Sequence, residues 1–169
     1  MTGAGETNEA IGNRLSRMVG LRTKEQRMTE RRRGIARDVL VANQAFYQAF
    51  AARDLESMEA LWATGVPVAC IHPGWNVLRG RDLVLASWRS ILGSESSPDV
   101  MCGNATAHVL GESAFVICEE QVAEDVLIAT NVFVRERGGW KLAHHQAAPI
   151  APDSLEIVRS EDEDGSPLN

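Results

Sequence analysis

The sequence predicts an α+β domain in which helices come first and an antiparallel sheet follows. Two observations predict this class. Up to residue 92, apolar residues recur every three or four positions, as in amphipathic helices. From residue 100 onwards, four segments rich in β-branched and apolar residues follow one another with only short turns between them. Because no helix separates these four segments, the parallel winding of α/β proteins is excluded.

Three helices account for the first part of this plan. The first is predicted over residues 38–53, where Phe46 and other large side chains lie on one face. Asp54 can cap a second helix, which ends before Gly65. The third is predicted over residues 81–92.

The strands form the second part of the plan. A short β-rich run covers residues 66–71, and residues 76–80 form a turn or a short strand before the third helix. Hairpin-type connections separate the long strands that follow. These are predicted over residues 100–110, 113–122, 126–136 and 139–148.

The charge of the chain is unevenly distributed. Its 169 residues are 44% hydrophobic and carry a net charge of −6, which suits one globular domain, and no run is long enough for a membrane span. Residues 1–37 hold nine basic and four acidic groups, whereas the rest holds eight basic and nineteen acidic groups. We therefore expect a basic extension over 1–37, a domain over 38–149 and an acidic, disordered tail over 150–169.

These charges bear on partners and location. An acidic domain is a poor binder of nucleic acid, because phosphates need neutralising cations. The basic extension, flexible or partly helical, is either a solvated arm or a docking segment for a partner, a membrane surface or nucleic acid. Three cysteines without a CxxC spacing are typical of buried thiols in a reducing cytoplasm, which is the predicted location.

The order of elements and several short segments resemble the SnoaL-like branch of the nuclear-transport-factor-2-like superfamily. The segments that carry the resemblance are Ala52–Leu55, Ala60–Trp62, Cys70–Trp75, Gly80–Arg81, Ser87–Trp88, Thr130–Phe133 and Trp140–Leu142. The resemblance implies a cone formed by a curved sheet wrapped by three helices, with an apolar pocket inside. It also implies a homodimer formed through the outer sheet face. Because this fold hosts both enzymes and binding domains, it does not assign a function.

His72 is the first candidate for chemistry. It follows a buried strand and precedes Pro73, where the resemblance to ketosteroid isomerases of the superfamily places a general-base aspartate. An imidazole there is either a base at the pocket mouth or a structural side chain at a strand end. Phe46 falls where that family has its oxyanion-hole tyrosine, and Tyr47 is expected to face elsewhere. Steroid isomerisation is therefore not predicted.

The strands supply further polar candidates by alternation of their side chains. Glu119 shares parity with Phe115 and Ile117, so it is expected to point inward as an acid or base, with Glu120 on the other face. Asn131 shares parity with Phe133, and it either orients a ligand or satisfies a neighbouring backbone group.

The histidine pair on the last strand is assigned in the same way. His144 shares parity with Trp140 and is expected inward, with His145 outward. The spacing of His72, Glu119 and His144 matches no metal-ligand signature, so neither a metal nor a cofactor is predicted.

Two tryptophans complete the candidate site. Trp75, in a loop after a glycine, is expected to form a wall or lid of the pocket, and Trp88 to lie in the core or against the ligand. The predicted ligand is a small apolar organic molecule. Two functions remain open: a non-catalytic binding or assembly module, which is slightly favoured, and a cofactor-independent isomerase, dehydratase or cyclase with His72 as general base.

Overall fold

The computed structural model describes residues 23–150 of the chain. The chain divides between Ile35 and Ala36 into two compact units. The predictions for residues 1–22 of the basic extension and for the acidic tail from residue 151 lie outside the described residues.

Helix α1 spans Lys24–Ala51 and begins fourteen residues before its predicted start. A capping box explains this earlier start. The backbone N–H of Gln26 donates to Thr23 Oγ1 at 3.1 Å, and the N–H of Thr23 donates to Gln26 Oε1 at 2.9 Å. Residues 23–34 are all exposed, so no buried apolar face marks this part of the helix. The arginine run and Gly34 do not interrupt it.

The second unit contains the rest of α1 and its buried face. The buried side chains on this face are Val39, Asn43, Phe46, Tyr47, Ala49 and Phe50. Phe46 and Tyr47, three and four positions after Asn43, both lie on this face. Tyr47 therefore points into the unit beside Phe46, and the expectation that it faces elsewhere is wrong.

The second and third helices begin where the sequence predicts. Helix α2 spans Leu55–Leu61, and the carboxylate of Asp54 accepts the backbone N–H of Ser57 at 3.0 Å as its cap. Helix α3 spans Arg81–Leu92 and follows Gly80, whose φ of +84° suits glycine.

The six strands of the described residues form one sheet in the order β2-β1-β6-β5-β4-β3. Their bounds are β1 Ala69–Ile71, β2 Leu78–Arg79, β3 Val100–Leu110, β4 Ser113–Val122, β5 Asp125–Glu136 and β6 Gly139–Pro149. The four long strands pair antiparallel in chain order, whereas β1 runs parallel to β6. The second unit thus has the predicted α+β cone fold, with a mixed rather than purely antiparallel sheet.

Two irregularities in the sheet affect which side chains point inward. The register shifts between Gly103 and Thr106 on β3, and again opposite Val132 and Phe133 on β5. In the second shift, His144 pairs with Val132 and Leu142 pairs with Phe133, so one extra residue of β6 bulges out. A bulge of one residue reverses the alternation of all side chains that follow it.

In the part of the chain that the structure describes, no helix is long and apolar enough to cross a membrane.

Candidate functional site

A cavity of about 570 Å³ lies within the second unit. Most of its wall is apolar or aromatic, formed by Phe46, Phe50, Pro73, Trp75, Trp88, Ile91, Pro98, Val100, Val122, Leu127 and Pro149. Five polar or titratable side chains complete the wall, namely Tyr47, His72, Glu120, Asp125 and His145. A largely apolar cavity of this size with a few polar groups is typical of small-molecule sites.

His72 reaches the cavity from a tight turn after β1. The backbone N–H of Trp75 donates to the carbonyl of His72 at 2.9 Å, and Gly74 between them has a φ of +77°. This geometry, with Pro73 second and glycine third, is that of a type II turn. The turn places the His72 ring against Trp75 and Trp88, with ring centroids 5.0 and 4.7 Å away.

A hydrogen bond to helix α3 fixes the tautomer of His72. Its Nε2 lies 2.8 Å from Ser87 Oγ, and the hydroxyl of Ser87 donates to the carbonyl of Val84 at 2.7 Å. Because Ser87 has only one proton to give, His72 Nε2 carries a hydrogen and donates it to Ser87. Burial lowers the pKa of His72 to about 4, so its ring is neutral at physiological pH.

His145 is held by its partner on the neighbouring strand. Asn131 and His145 face each other across β5 and β6, and His145 Nδ1 lies 2.6 Å from Asn131 Oδ1. Since an amide oxygen only accepts, Nδ1 carries the hydrogen and Nε2 keeps a free lone pair. Burial lowers the pKa of His145 to about 3, and the nearby His72 and His144 add to the effect.

Asn131 joins this histidine to helix α1. Its Nδ2 donates to Asn43 Oδ1 at 2.8 Å and to the hydroxyl oxygen of Tyr47 at 3.2 Å. Asn131 is fully buried and does not line the cavity. Its side chain therefore orients His145 and Tyr47 and does not itself face a ligand.

Glu120 is the buried carboxyl of the cavity, with only 5% of its surface exposed. The hydroxyl of Tyr47 donates to Glu120 Oε1 at 2.7 Å. Burial raises the pKa of Glu120 above its ordinary value, and the bond from Tyr47 opposes that rise. Burial, followed by the charge of Glu120, raises the pKa of Tyr47, so the phenol stays protonated and remains the donor.

Glu119 does not point into the cavity, contrary to the sequence prediction. The inward row of β4 consists of Ala114, Val116, Cys118 and Glu120, whereas Glu119 is half-buried and accepts from Asn104 Nδ2 at 2.8 Å. The alternating side chains of β4 were assigned to the wrong faces of the sheet because the outer face is also apolar. Phe115 lies there and stacks on His108, with ring centroids 4.6 Å apart.

His144 and His145 also exchange their predicted places. Trp140 and Leu142 are buried as expected, but the bulge in β6 then makes His145 the inward residue. His144 is half-buried and does not line the cavity, and its Nδ1 lies 3.1 Å from the carbonyl oxygen of Ala69.

The predicted aromatic residues line the cavity. Phe46 and Trp88 are buried and pack edge to face, with ring centroids 5.4 Å apart. Trp75 is 49% exposed and lies at the wall beside His72. Within residues 23–150, no group of three or more His, Cys, Asp or Glu side chains is placed to hold a metal ion.

Sequence reasoning missed the three residues that hydrogen-bond within this site, Tyr47, Glu120 and His145, and the signals for them differ. Tyr47 is indicated by its spacing of four from Asn43 on a helix. Glu120 is the inward residue if the small side chains of β4 face the helices, which alternation alone does not decide. His145 depends on the bulge, for which the sequence carries no recognisable pattern.

Comparisons with known proteins agree with this architecture. A curated relative, the F-box protein SKIP8 of Arabidopsis thaliana, is 26% identical over 124 residues, which cover 72% of this chain. The chain spans about half (54%) of the length of that relative.

Two solved structures are more similar in sequence. An NTF2-like protein of Streptomyces avermitilis described as a "putative dehydratase" is 36% identical, with a TM-score of 0.64 over 69% of this chain and 96% of its own. A Thiobacillus denitrificans protein described as a "putative calcium/calmodulin-dependent protein kinase type II association domain" is 35% identical. Its TM-score is 0.58 over 65% of this chain and 93% of its own.

The family comparison covers the part of the chain that builds the cavity. The family model of the SnoaL-like domain matches residues 39–152, which include every residue of the cavity wall. The chain therefore belongs to the SnoaL-like domain family, within the NTF2-like superfamily.

Proposed function

We propose that this domain binds a small, largely apolar organic molecule in the cavity and transfers a proton to or from it without a cofactor. One observation carries the proposal: Glu120, His72 and His145 converge on one apolar cavity. Buried titratable groups with shifted pKa values that share a cleft are typical of acid–base sites.

Glu120 is the group that we assign to proton transfer. A general acid or base works best when its pKa lies near the working pH, and burial moves the pKa of Glu120 upward in that direction. The pKa of His72, the base proposed from the sequence, falls to about 4, which makes it a weaker base. We assign His72 and His145 to the orientation of the bound molecule.

Dehydration is a reaction that one carboxyl can carry out. Glu120 would take a proton from carbon while a C=C bond forms and the neighbouring C–O bond breaks. The same carboxyl would return that proton to the departing hydroxide, which leaves as water. The Streptomyces avermitilis relative, described as a "putative dehydratase", supports this reaction class.

A generic proton-abstraction substrate tests the proposal before the natural substrate is known. 5-Nitrobenzisoxazole is a small, neutral, flat molecule whose C–H proton is removed as its N–O bond opens to a coloured phenolate. We expect the protein to accelerate this opening and Glu120→Gln to lower the rate by roughly a hundredfold. Glu119→Gln is the matched control, because the adjacent carboxylate faces away from the cavity. No acceleration by the wild type, or equal rates for wild type and Glu120→Gln, would contradict the proposal.

A non-catalytic role in assembly is the second candidate, and the outer face of the sheet supports it. Large apolar side chains are exposed there, with Met101 at 67%, Ile117 at 41% and Ile128 at 39%. The Thiobacillus denitrificans relative is described as an association domain. We propose a homodimer formed through this face, because an exposed apolar patch on a sheet is typical of a protein interface.

Sedimentation equilibrium tests the homodimer. Ile117→Glu places a charge in the middle of the outer face, and we expect it to convert dimers to monomers. Val41→Glu is the control, because Val41 is exposed at 59% on helix α1. A wild-type protein that is monomeric at all concentrations would exclude the dimer.

The cysteine thiols of the described residues bear on the cellular compartment of the protein. Cys70, Cys102 and Cys118 are all free, which suits the reducing cytoplasm that we propose as the compartment.

A further inference from the structure

Three polar side chains of the cavity wall, those of His72, Tyr47 and His145, have their donor hydrogens committed within the protein, whereas the indole N–H of Trp88 is buried without a hydrogen-bond partner within residues 23–150. The Nε2–H of His72 donates a hydrogen bond to Ser87 Oγ, because the single hydroxyl proton of Ser87 is donated to the carbonyl of Val84. The hydroxyl of Tyr47 donates a hydrogen bond to Glu120 Oε1.

The same holds for His145, whose ring centroid lies 6.5 Å from that of His72. Its Nδ1–H is donated to Asn131 Oδ1, because the amide hydrogens of Asn131 go to Asn43 and Tyr47. The Nε2 of His145 has no hydrogen-bond partner among the described residues. Only 3% of the surface of His145 is exposed, and the residue lines the cavity.

What His72, Tyr47, His145 and Glu120 leave for a ligand is therefore a set of acceptors. His145 offers its Nε2 lone pair, and Glu120 offers the carboxylate oxygen Oε2, which Tyr47 does not occupy. Acceptors that line the cavity without a protein donor favour a ligand that brings hydrogen-bond donors.

The charged side chains of the cavity wall limit which kind of hydrogen-bond donor a ligand can carry. The two acidic side chains of the wall are Glu120 and Asp125, and no Lys or Arg within residues 36–150 lines this cavity. An anionic ligand would be buried beside these carboxyls without a compensating charge, which is strongly unfavourable. A cation would neutralise them.

The aromatic wall also suits a cation with an apolar body. Phe46, Phe50, Trp75 and Trp88 all contribute to it. The faces of aromatic rings carry partial negative charge and attract ammonium groups, and tryptophan does so most strongly. The same rings accept the apolar remainder of a ligand by burial of its surface.

We infer that the molecule bound in this cavity is a small amine in its ammonium form, with the ammonium group donating to Glu120 and His145 and its apolar body against the aromatic wall. The inference rests on the proposed ligand cavity, and it adds the chemical class of the ligand. The raised pKa of Glu120, caused by burial, is consistent with it, since a cation beside Glu120 favours the ionised carboxylate.

Three probes of nearly equal size test the inference by isothermal titration calorimetry. They are phenethylamine, 2-phenylethanol and phenylacetate, which present an ammonium, a hydroxyl and a carboxylate on the same ring. We expect phenethylamine to bind at least about tenfold more tightly than 2-phenylethanol, and phenylacetate to bind least.

Variants test whether Glu120 and His145 are the acceptors that cause the preference for the ammonium group. Glu120→Gln is expected to weaken phenethylamine binding by about tenfold or more and to change 2-phenylethanol binding little. His145→Asn keeps an N–H for Asn131 and removes the free Nε2, so it is also expected to weaken phenethylamine binding. Glu119→Gln is the control that leaves both affinities unchanged, and circular dichroism checks that each variant is folded.

The outcomes separate this inference from the proposed function. If 2-phenylethanol binds as tightly as phenethylamine, or phenylacetate binds most tightly, the ammonium assignment is wrong while the ligand cavity stands. Binding of none of the probes also overturns the assignment. Proton transfer is judged independently by the opening of 5-nitrobenzisoxazole, which carries no amine.

Discussion

Lowering the pH from about 7 to about 5 tests whether His72 and His145 are buried as neutral imidazoles. The pKa of His72 is lowered to about 4 and that of His145 to about 3 in the folded state. An imidazole in the unfolded chain titrates near about 6.5. As the pH falls through that value, the unfolded chain takes up protons that the folded protein does not. The folded state therefore loses stability as the pH falls.

The size of the loss follows from the difference between these pKa values. Between about pH 7 and pH 5, each of the two histidines contributes a loss of about 2 kcal/mol, so that together they contribute about 4 kcal/mol. The loss from each levels off below its folded-state pKa. Glu120 acts with the opposite sign, because its raised pKa lets the folded state take up a proton before the unfolded chain does.

Urea unfolding at the two pH values, followed by circular dichroism, measures the effect. We expect the stability of His145→Asn to fall by about 2 kcal/mol less than that of the wild type over the same interval. Asparagine retains an N–H for Asn131 Oδ1 but does not titrate. His108→Asn is the control, because it removes an exposed histidine that does not line the cavity.

An equal loss of stability in the wild type and His145→Asn would refute the reasoning. It would mean that His145 takes up its proton equally in the folded and unfolded states, and hence that it is not buried in the hydrogen-bonded position described. A loss in His108→Asn as small as that in His145→Asn would also contradict the assignment of the effect to the cavity histidines.

Four further predictions concern the supporting structure. Asn131→Leu is expected to destabilise the folded state by roughly 2–4 kcal/mol in urea unfolding, because Asn43 and His145 each lose a buried partner; an unchanged midpoint would contradict the network. Gly80→Ala is expected to cost about 1–3 kcal/mol, since its φ of +84° and ψ of 149° are accessible almost only to glycine. Gly34→Ala, inside helix α1, is expected instead to increase the helical circular dichroism signal, and a decrease would contradict its helical conformation. Iodoacetamide followed by mass spectrometry is expected to label Cys102 first, as it is half-buried and a hydrogen bond with Cys118 lowers its pKa. Burial raises the pKa of Cys70 to about 12, and the hydrogen bond with Cys102 together with burial raises that of Cys118, so faster labelling of either would contradict the assignment.

The local parts of the fold could be predicted from the sequence because their causes are local. The four long strands have their predicted bounds to within one residue, since each is separated from the next by a short turn. Helices α2 and α3 begin after Asp54 and Gly80, residues that cap or precede a helix through their own conformation. The family was also indicated by the order of these elements.

The site could be predicted only in part. His72 was found because its strand and its Pro-Gly turn adjoin it in the sequence, and Phe46, Trp75 and Trp88 because large aromatic residues tend to line cavities. Glu119 and His144 were wrong for two other reasons. For Glu119, alternation along a strand defines two faces but does not say which face is inside when both are apolar. For His144, the bulge in β6 reversed the alternation after Leu142.

The sequence by itself therefore determined the elements, their order and the family to which the chain belongs. Only the tertiary structure decided that Glu120, His145 and Tyr47 meet at one cavity. Their hydrogen bonds join residues far apart in the chain, such as Asn43 with Asn131, 88 positions apart, and Tyr47 with Glu120, 73 apart. Such contacts depend on the register between strands and on one bulged residue of β6, which is set by how the whole sheet packs.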